Sequence, residues 1–335
     1  MSHPTTSHVL VYDVGGSHIS AAICDQYTYD LRGLSRAPLP AEGSGHFSAA
    51  SFGRLIHTLG ETAVGSAYLS LSAVSGASLA MPGPFDYENG ISQMRHKLTS
   101  LFGVDLKSGI ASRFGWQPPQ VKFVNDAAAF LLGEVGAGAA KGFSRSIGIT
   151  LGTGVGCAFA VDGHIVTSGP GVPPGGEIWN LPYNGATVED FVSTRFLRGH
   201  YQTLTGLEAE VSAIADAARG NHPCPELPPG PPPVQIDPGD PFAAHCRARQ
   251  AFKDFGRHLG LALNQHAAAF APDVIVLGGG ISRASHLFLP ATRQALVGFS
   301  PKIAISALMD EAPLAGAGVH WLTTPGLKQE ASTQA

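Results

Sequence analysis

The residues of this 335-residue chain best placed to do chemistry are carboxylates and amides beside apolar runs, together with glycine turns beside hydroxyls. Asn125 and Asp126 follow directly on the strand-like run Val121–Val124. An amide next to a carboxylate supplies both donors and acceptors, which a polyhydroxylated ligand requires of its site. A carboxylate beside an attacking hydroxyl also suits phosphoryl transfer, where positioning and charge stabilisation dominate and a base adds a modest part. The same pair makes a good helix N-cap, and a capping residue can still face a ligand. Glu177 and Glu189 are the other candidate carboxylates; taken alone, each reads equally well as a solvated loop charge. Trp179 beside Glu177 would either stack on a ligand ring or fill the core.

Two glycine turns stand out, Tyr12-Asp-Val-Gly-Gly-Ser17 and Thr150-Leu-Gly-Thr-Gly154. In each, a β-type run ends in glycines next to a hydroxyl residue. Such a turn lets successive backbone N–H groups and the hydroxyl face an anion such as a phosphate. Either turn alone reads as a plain hairpin. The pair suggests one phosphate-binding hairpin in each of two lobes, with a nucleotide in a cleft between them. Asp13 on the first turn would hold Mg²⁺ through water, since this ion prefers oxygen ligands and keeps several waters. The chain has no G-x-x-x-x-G-K-[ST] and no G-x-G-x-x-G, which disfavours a P-loop enzyme and a nicotinamide dehydrogenase.

The elements that must position these residues follow from pattern. Val9–Val14 and Ile19–Cys24 read as a hairpin. Ala49–Leu59 and Val104–Phe114 read as helices, and Gly76–Met81 as a small-residue strand stopped by the rigid Pro82-Gly83-Pro84. Val121–Val124 leads into an Ala-rich helix reaching Glu134. Ser146–Leu151 and Val155–Val161 form a second hairpin. Helices are expected over Asp190–Leu204, Glu210–Arg219 and Pro241–Phe270, a buried parallel-type strand over Asp273–Leu277, and a closing helix over Ala317–Thr323. His222–Pro241 is Pro-rich without hydrophobic period and reads as an exposed insertion; Gln329–Ala335 reads as a frayed tail.

Length points to two domains. A net charge of −4 and pI near 6.4 give no sign of a nucleic-acid or membrane-surface partner. No apolar run reaches the length of a membrane span and the first residues lack an apolar core, so a cytoplasmic protein is expected. Cys24, Cys157, Cys224 and Cys246 are scattered and read as free thiols of a reducing compartment.

The ordered series Asp13-Val-Gly-Gly-Ser17, Pro82-Gly-Pro84, Asn125-Asp126-Ala127, Thr150-Leu-Gly-Thr-Gly154, Gly176-Glu-Ile178 and Val276-Leu-Gly-Gly-Gly280 resembles the ROK family (repressor, open reading frame, kinase) of bacterial sugar kinases. The resemblance runs from Val9 to about Leu322. It implies an α/β chain with the two-lobed actin-like ATPase (ribonuclease H-like) fold and a cleft between lobes. The lobes would be 1–120 plus 318–335, and 121–317 with the insertion at 222–241. Asp126 would be the catalytic base. Asn125, Asp126, Glu177, Asn180 and Glu189 would bind sugar hydroxyls. Gly15, Gly16 and Ser17 in one lobe, and Gly152, Thr153 and Gly154 in the other, would contact phosphates, Asp13 would reach the nucleotide through its hydrated Mg²⁺, and Gly278, Gly279 and Gly280 would lie against the adenosine.

The implied activity is transfer of the γ-phosphate of ATP to a hexose, with glucose as the expected acceptor and Mg²⁺ as cofactor. Fructose, mannose or an N-acyl hexosamine as acceptor, polyphosphate as donor, and a non-catalytic sugar-binding regulator stay open as alternatives. A DNA-binding member would carry a helix-turn-helix ahead of the first hairpin, which here begins at Val9. A homodimer is expected. The family's frequent G-E-x-G-H reads Gly176-Glu-Ile-Trp-Asn180 here, so Asn180 replaces a histidine that often binds zinc. Trp179–Val188 holds no Cys or His, and no structural zinc is expected. His96 could edge the sugar pocket, and His18 stands where the family often has lysine.

Overall fold

A computed structural model describes residues 8–39, 47–95, 97–220 and 241–324. In chain order the elements open with β1 (His8–Val14), β2 (His18–Asp25), β3 (Leu31–Pro38), α1 (Ala49–Ser66), β4 (Val74–Met81), the short hairpin β5 (Phe85–Asp86) and β6 (Ile91–Ser92), and α2 (Leu106–Phe114). Next come β7 (Val121–Asn125), α3 (Asp126–Ala137), β8 (Arg145–Leu151), β9 (Val155–Val161), β10 (His164–Val166), and the two-residue strands β11 (Pro182–Tyr183) and β12 (Ala186–Thr187). The rest is α4 (Thr194–Thr205), α5 (Val211–Ala218), α6 (Pro241–His266), β13 (Val274–Gly278), α7 (Ser285–Ala295), β14 (Lys302–Ile305) and α8 (Ala312–Thr323).

The chain divides into two units, residues 1–142 with 307–335, and residues 143–306. The division read from sequence fell at 120/121 and 317/318. In the structure β7 is hydrogen-bonded to β4, and α8 packs on α3, so both β7 and α3 lie with the first hairpin.

The first unit holds a five-stranded sheet in the order β3-β2-β1-β4-β7. The first three strands are antiparallel; β4 and β7 run parallel to β1. One face packs on α1. That helix starts in a reciprocal Ser48/Ser51 capping box and buries Phe52, Ile56, Leu59 and Ala63 at helical spacing. Tyr12 reaches across from β1 to donate its hydroxyl to the Ile56 carbonyl at 3.0 Å. On the other face α3 and α8 cross so closely that a Cβ at Gly133 or Gly316 would overlap the partner helix's backbone.

The second unit repeats the arrangement in the order β10-β9-β8-β13-β14. Here β13 is parallel to both β8 and β14 and fully buried, as its Val-Ile-Val-Leu run requires. Phe159, Phe252, Phe255, Phe270 and Phe288 fill its core.

Several expectations are refined. β3, β10, β14 and α7 carry no strong pattern and go unread in the sequence. α4 begins at Thr194 rather than Asp190, because Ser193 is its N-cap and Glu189–Val192 turn back on the preceding loop. α8 begins five residues earlier than read. The insertion at 222–241, apart from Pro241 at the start of α6, lies outside the described residues, as do His96 and the tail after 328. The reading of four free thiols needs correction: Cys24 and Cys157 are free and buried, but Cys246 is disulfide-bonded. Separation along the chain does not set separation in space, which alone decides whether two sulfurs can pair. Among the described residues no helix is long and apolar enough to cross a membrane.

Candidate active site

In the first unit three motif segments leave the same end of the sheet. β1, β4 and β7 are parallel neighbours, so Gly15–Ser17, Pro82–Pro84 and Asn125–Asp126 all lie at C-terminal strand ends. That is where open α/β sheets place ligands. The Gly15 N–H donates to the His18 carbonyl at 3.0 Å and closes the first turn; a Cβ at Gly16 would meet nothing within 4 Å. The Ser17 hydroxyl lies 3.2 Å from His18 Nδ1.

Asn125 caps α3: its Oδ1 accepts from the Ala127 and Ala128 N–H groups at 3.0 and 3.1 Å. Its Nδ2 donates to the Tyr87 hydroxyl at 3.1 Å, and that hydroxyl donates to the Met81 carbonyl. Asn125 is therefore mostly committed to holding the end of β7 and the start of α3. Asp126, the first residue of α3, is partly exposed and has one carboxylate oxygen 2.9 Å from the Ala127 N–H.

Asp13 shares the field of Asp126. Burial pushes its carboxyl up to about 7; the Asp126 charge adds to this, the Arg36 guanidinium opposes it and Asp310 adds again. The pairings Asp13↔Ser20 and Ser20↔Arg36 put these three residues in one row across β1, β2 and β3. Sequence reading missed Tyr87, Arg36 and Asp310. Recognising β3 as a strand would have found Arg36, whereas Tyr87 and Asp310 leave no signal in one sequence.

In the second unit Gly152–Gly154 and Gly278–Gly280 lie at the ends of the parallel neighbours β8 and β13. Gly279 has φ +79°, and a Cβ there would overlap the Leu151 backbone, so only glycine lets the two segments lie this close. The 152–154 turn is tied at both ends. Gly152 N–H donates to the Gly154 carbonyl at 3.1 Å, and its own carbonyl accepts from the Thr194 N–H at 2.8 Å. Glu189 Oε2 accepts from the Val155 N–H at 3.0 Å. It would sit 2.7 Å from a Cβ at Gly154, so a side chain there would displace the Glu189 carboxylate from its present position. Thr153 is the exposed tip of the turn.

Glu177 is partly exposed and accepts from the Trp179 indole N–H at 2.6 Å. Asn180 is exposed. The segment carrying these residues is pinned to α6: the Tyr183 hydroxyl lies 2.9 Å from His258 Nδ1, and the Pro182 carbonyl accepts from Gln265 Nε2 at 3.1 Å. Ile178 and Val188 anchor it in the core.

The sequence profile of the ROK family matches residues 10–223. The chain belongs to the ROK family. Among curated proteins it is 26% identical over 334 residues to a glucokinase of Thermotoga maritima, covering 91% of this chain and 94% of that protein. Among solved structures it is similar to a ROK hexokinase from Thermus thermophilus, with a TM-score of 0.69 at 23% identity over 93% of this chain and 97% of that one. It is also similar to a ROK glucokinase from Streptomyces griseus solved with glucose and AMPPNP, with a TM-score of 0.67 at 22% identity over 93% and 98%. Membership fits the two α/β units, each with its glycine hairpin, and the ROK structures share this fold.

Proposed function

We propose that the chain is an ATP-dependent hexose kinase with glucose as its preferred acceptor. The observation that carries this is the placement of Asp126 on the first turn of α3, at the sheet end shared with Asp13 and the Gly15–Ser17 turn. Asp126 would take the proton of the acceptor hydroxyl as the hydroxyl attacks the γ-phosphorus. Proton and phosphoryl group move in one displacement, and ADP leaves. Asn125, Glu177, Asn180 and Glu189 would bind the remaining hydroxyls; Asn125 and Glu189 have part of their capacity already engaged by backbone. The turns Gly15-Gly16-Ser17 and Gly152-Thr153-Gly154, closed by the Gly15 and Gly152 N–H groups, would face the phosphates with their remaining N–H groups and hydroxyls, with Gly278–Gly280 beside the nucleoside.

Magnesium fits the donor set only through water. Asp13 has Asp126 and Asp310 for neighbours, a negative field that favours a hydrated divalent cation. Among the described residues no group of three or more His, Cys, Asp or Glu is arranged to hold a metal directly. The bound ion would offset charge on the donor phosphates. A cytoplasmic homodimer is part of the same reading, as the use of ATP suggests for the compartment.

The test is ADP release from ATP and Mg²⁺ with glucose, fructose, mannose and N-acetylglucosamine in parallel. Glucose should give the highest kcat/KM. Release at the sugar-free background with every acceptor would overturn the kinase reading.

A further inference from the structure

Trp179 has no part in the reading above, yet it stands at the centre of a connected set of hydrogen bonds within the second unit. Its indole N–H donates to Glu177 Oε2 at 2.6 Å. Its backbone carbonyl accepts from the Glu189 N–H at 3.0 Å. The Glu189 carboxylate accepts in turn from the Val155 N–H, directly after the Gly152–Gly154 turn. One residue therefore bridges both candidate sugar carboxylates, and the second of these also holds the candidate phosphate turn.

Packing does not account for the ring. Its neighbour Ile178 is 1% exposed and does the core filling, while Trp179 is 38% exposed. The backbone around it is fixed independently of the ring, through Val188 in the core, Tyr183 against His258, and the Pro182 carbonyl against Gln265 and His266. A large apolar surface has been left partly in water beside a carboxylate that it hydrogen-bonds. An indole in that position does two things that a small residue cannot. Its N–H fixes the carboxylate rotamer, leaving the second oxygen for a ligand hydroxyl, and its face is available to the C–H surface of a pyranose ring. This is also the residue at which the chain departs from G-E-x-G-H in its fourth position.

We infer that Trp179 is a positioning and specificity-determining residue for the hexose, acting by orienting the Glu177 carboxylate and covering one face of the bound sugar. The inference rests on the kinase reading. The chain's other two tryptophans belong to the first unit, Trp116 stacked on Phe114 and Trp321 under the Lys122 ammonium. Trp179 is thus the single indole of its unit, and its fluorescence reports on its surroundings.

Two measurements test this. In Trp179→Phe the ring stays and the N–H goes. Losing a partly exposed hydrogen bond to a charged group should raise the hexose KM about fivefold, with kcat and the ATP KM nearly unchanged. In the double variant Trp116→Phe/Trp321→Phe, which leaves residue 179 intact, hexose alone should shift the indole emission at concentrations that track the KM. An unchanged hexose KM in Trp179→Phe, or a silent emission in the double variant at a hexose concentration that saturates turnover, overturns the inference and leaves the kinase reading standing. A wild-type protein that phosphorylates no hexose overturns both.

Discussion

Asp126 and Asn125 are adjacent in sequence but do different work. Asn125 spends its side-chain oxygen on two N–H groups of α3 and its amide on Tyr87, so capping is its main task. Asp126 rides on the helix that Asn125 starts. If Asp126 is the base, Asp126→Asn keeps shape and hydrogen-bonding size while removing the proton acceptor. Turnover should then fall by at least about a hundredfold with the hexose dissociation constant within a few-fold of the parent. Steady-state kinetics beside calorimetric hexose titration check this; a variant turning over near the parent rate would remove Asp126 from the role. Residue type and spacing single out Asp126 and the glycine turns as candidates. They do not single out Arg36 and Asp310, whose approach to Asp13 depends on β3 pairing with β2 and on the course of the chain before α8.

At the scale of elements, the segment from Glu177 to Glu189 carries three candidate sugar contacts with almost no secondary structure of its own. Its only strands are β11 and β12, two residues each. It keeps its shape because Ile178 and Val188 are buried and because Tyr183 and Pro182 are bonded to α6. We propose that these contacts hold the segment without the four metal–ligand bonds of a zinc-held loop. The purified protein should accordingly contain no stoichiometric zinc by elemental analysis and keep its thermal midpoint in chelator. One zinc per chain, with a midpoint that drops on chelation, would show that the segment is held otherwise. The part played by His258 was hidden in the sequence, because it comes from α6, far along the chain.

At the scale of the whole molecule, the chain passes between its units twice, at 142/143 and at 306/307. Glu134, fully buried on α3, holds the first-unit side of both passages. Its carboxylate accepts from the Ala139 N–H at 2.7 Å, and from the Ala307 and Leu308 N–H groups at 3.2 and 3.1 Å. Glu134→Ala would take the acceptor from three part-buried donors and leave a cavity at a buried site, and should cost about 2 kcal/mol in denaturant unfolding. A loss below about 1 kcal/mol would mean that water replaces the carboxylate. Stability also varies with pH. Burial, helped by the Lys122 charge and opposed by a hydrogen bond to the Phe123 backbone, brings the His320 imidazole down to about 4 from 6.5. Between these values the unfolded chain binds the proton and the folded chain does not, so stability falls as pH drops from about 6.5 towards 4. His320→Gln should flatten that part of the stability–pH curve by up to about 3 kcal/mol, read from urea midpoints at pH 7 and pH 4.5.

The sequence by itself determined the two glycine hairpins, the Asn125–Asp126 junction, the buried strand at Val274–Leu277 and the family. All of these are local: they follow from turn chemistry, from β-type runs and from spacing within one stretch of chain. Tertiary structure decided which strands are neighbours, and so which turns emerge at one sheet end. It decided that β7 and α3 belong with the first hairpin, that Cys246 is paired, and that Trp179 reaches Glu177 while Glu189 reaches Val155. A glycine at 316 or 154 looks like any other in the sequence. Only the helix crossing gives the reason that no side chain is at 316, and only the fold brings the glutamate 35 residues onward against 154. Contacts between residues distant in sequence depend on strand order and helix packing, which no local propensity encodes.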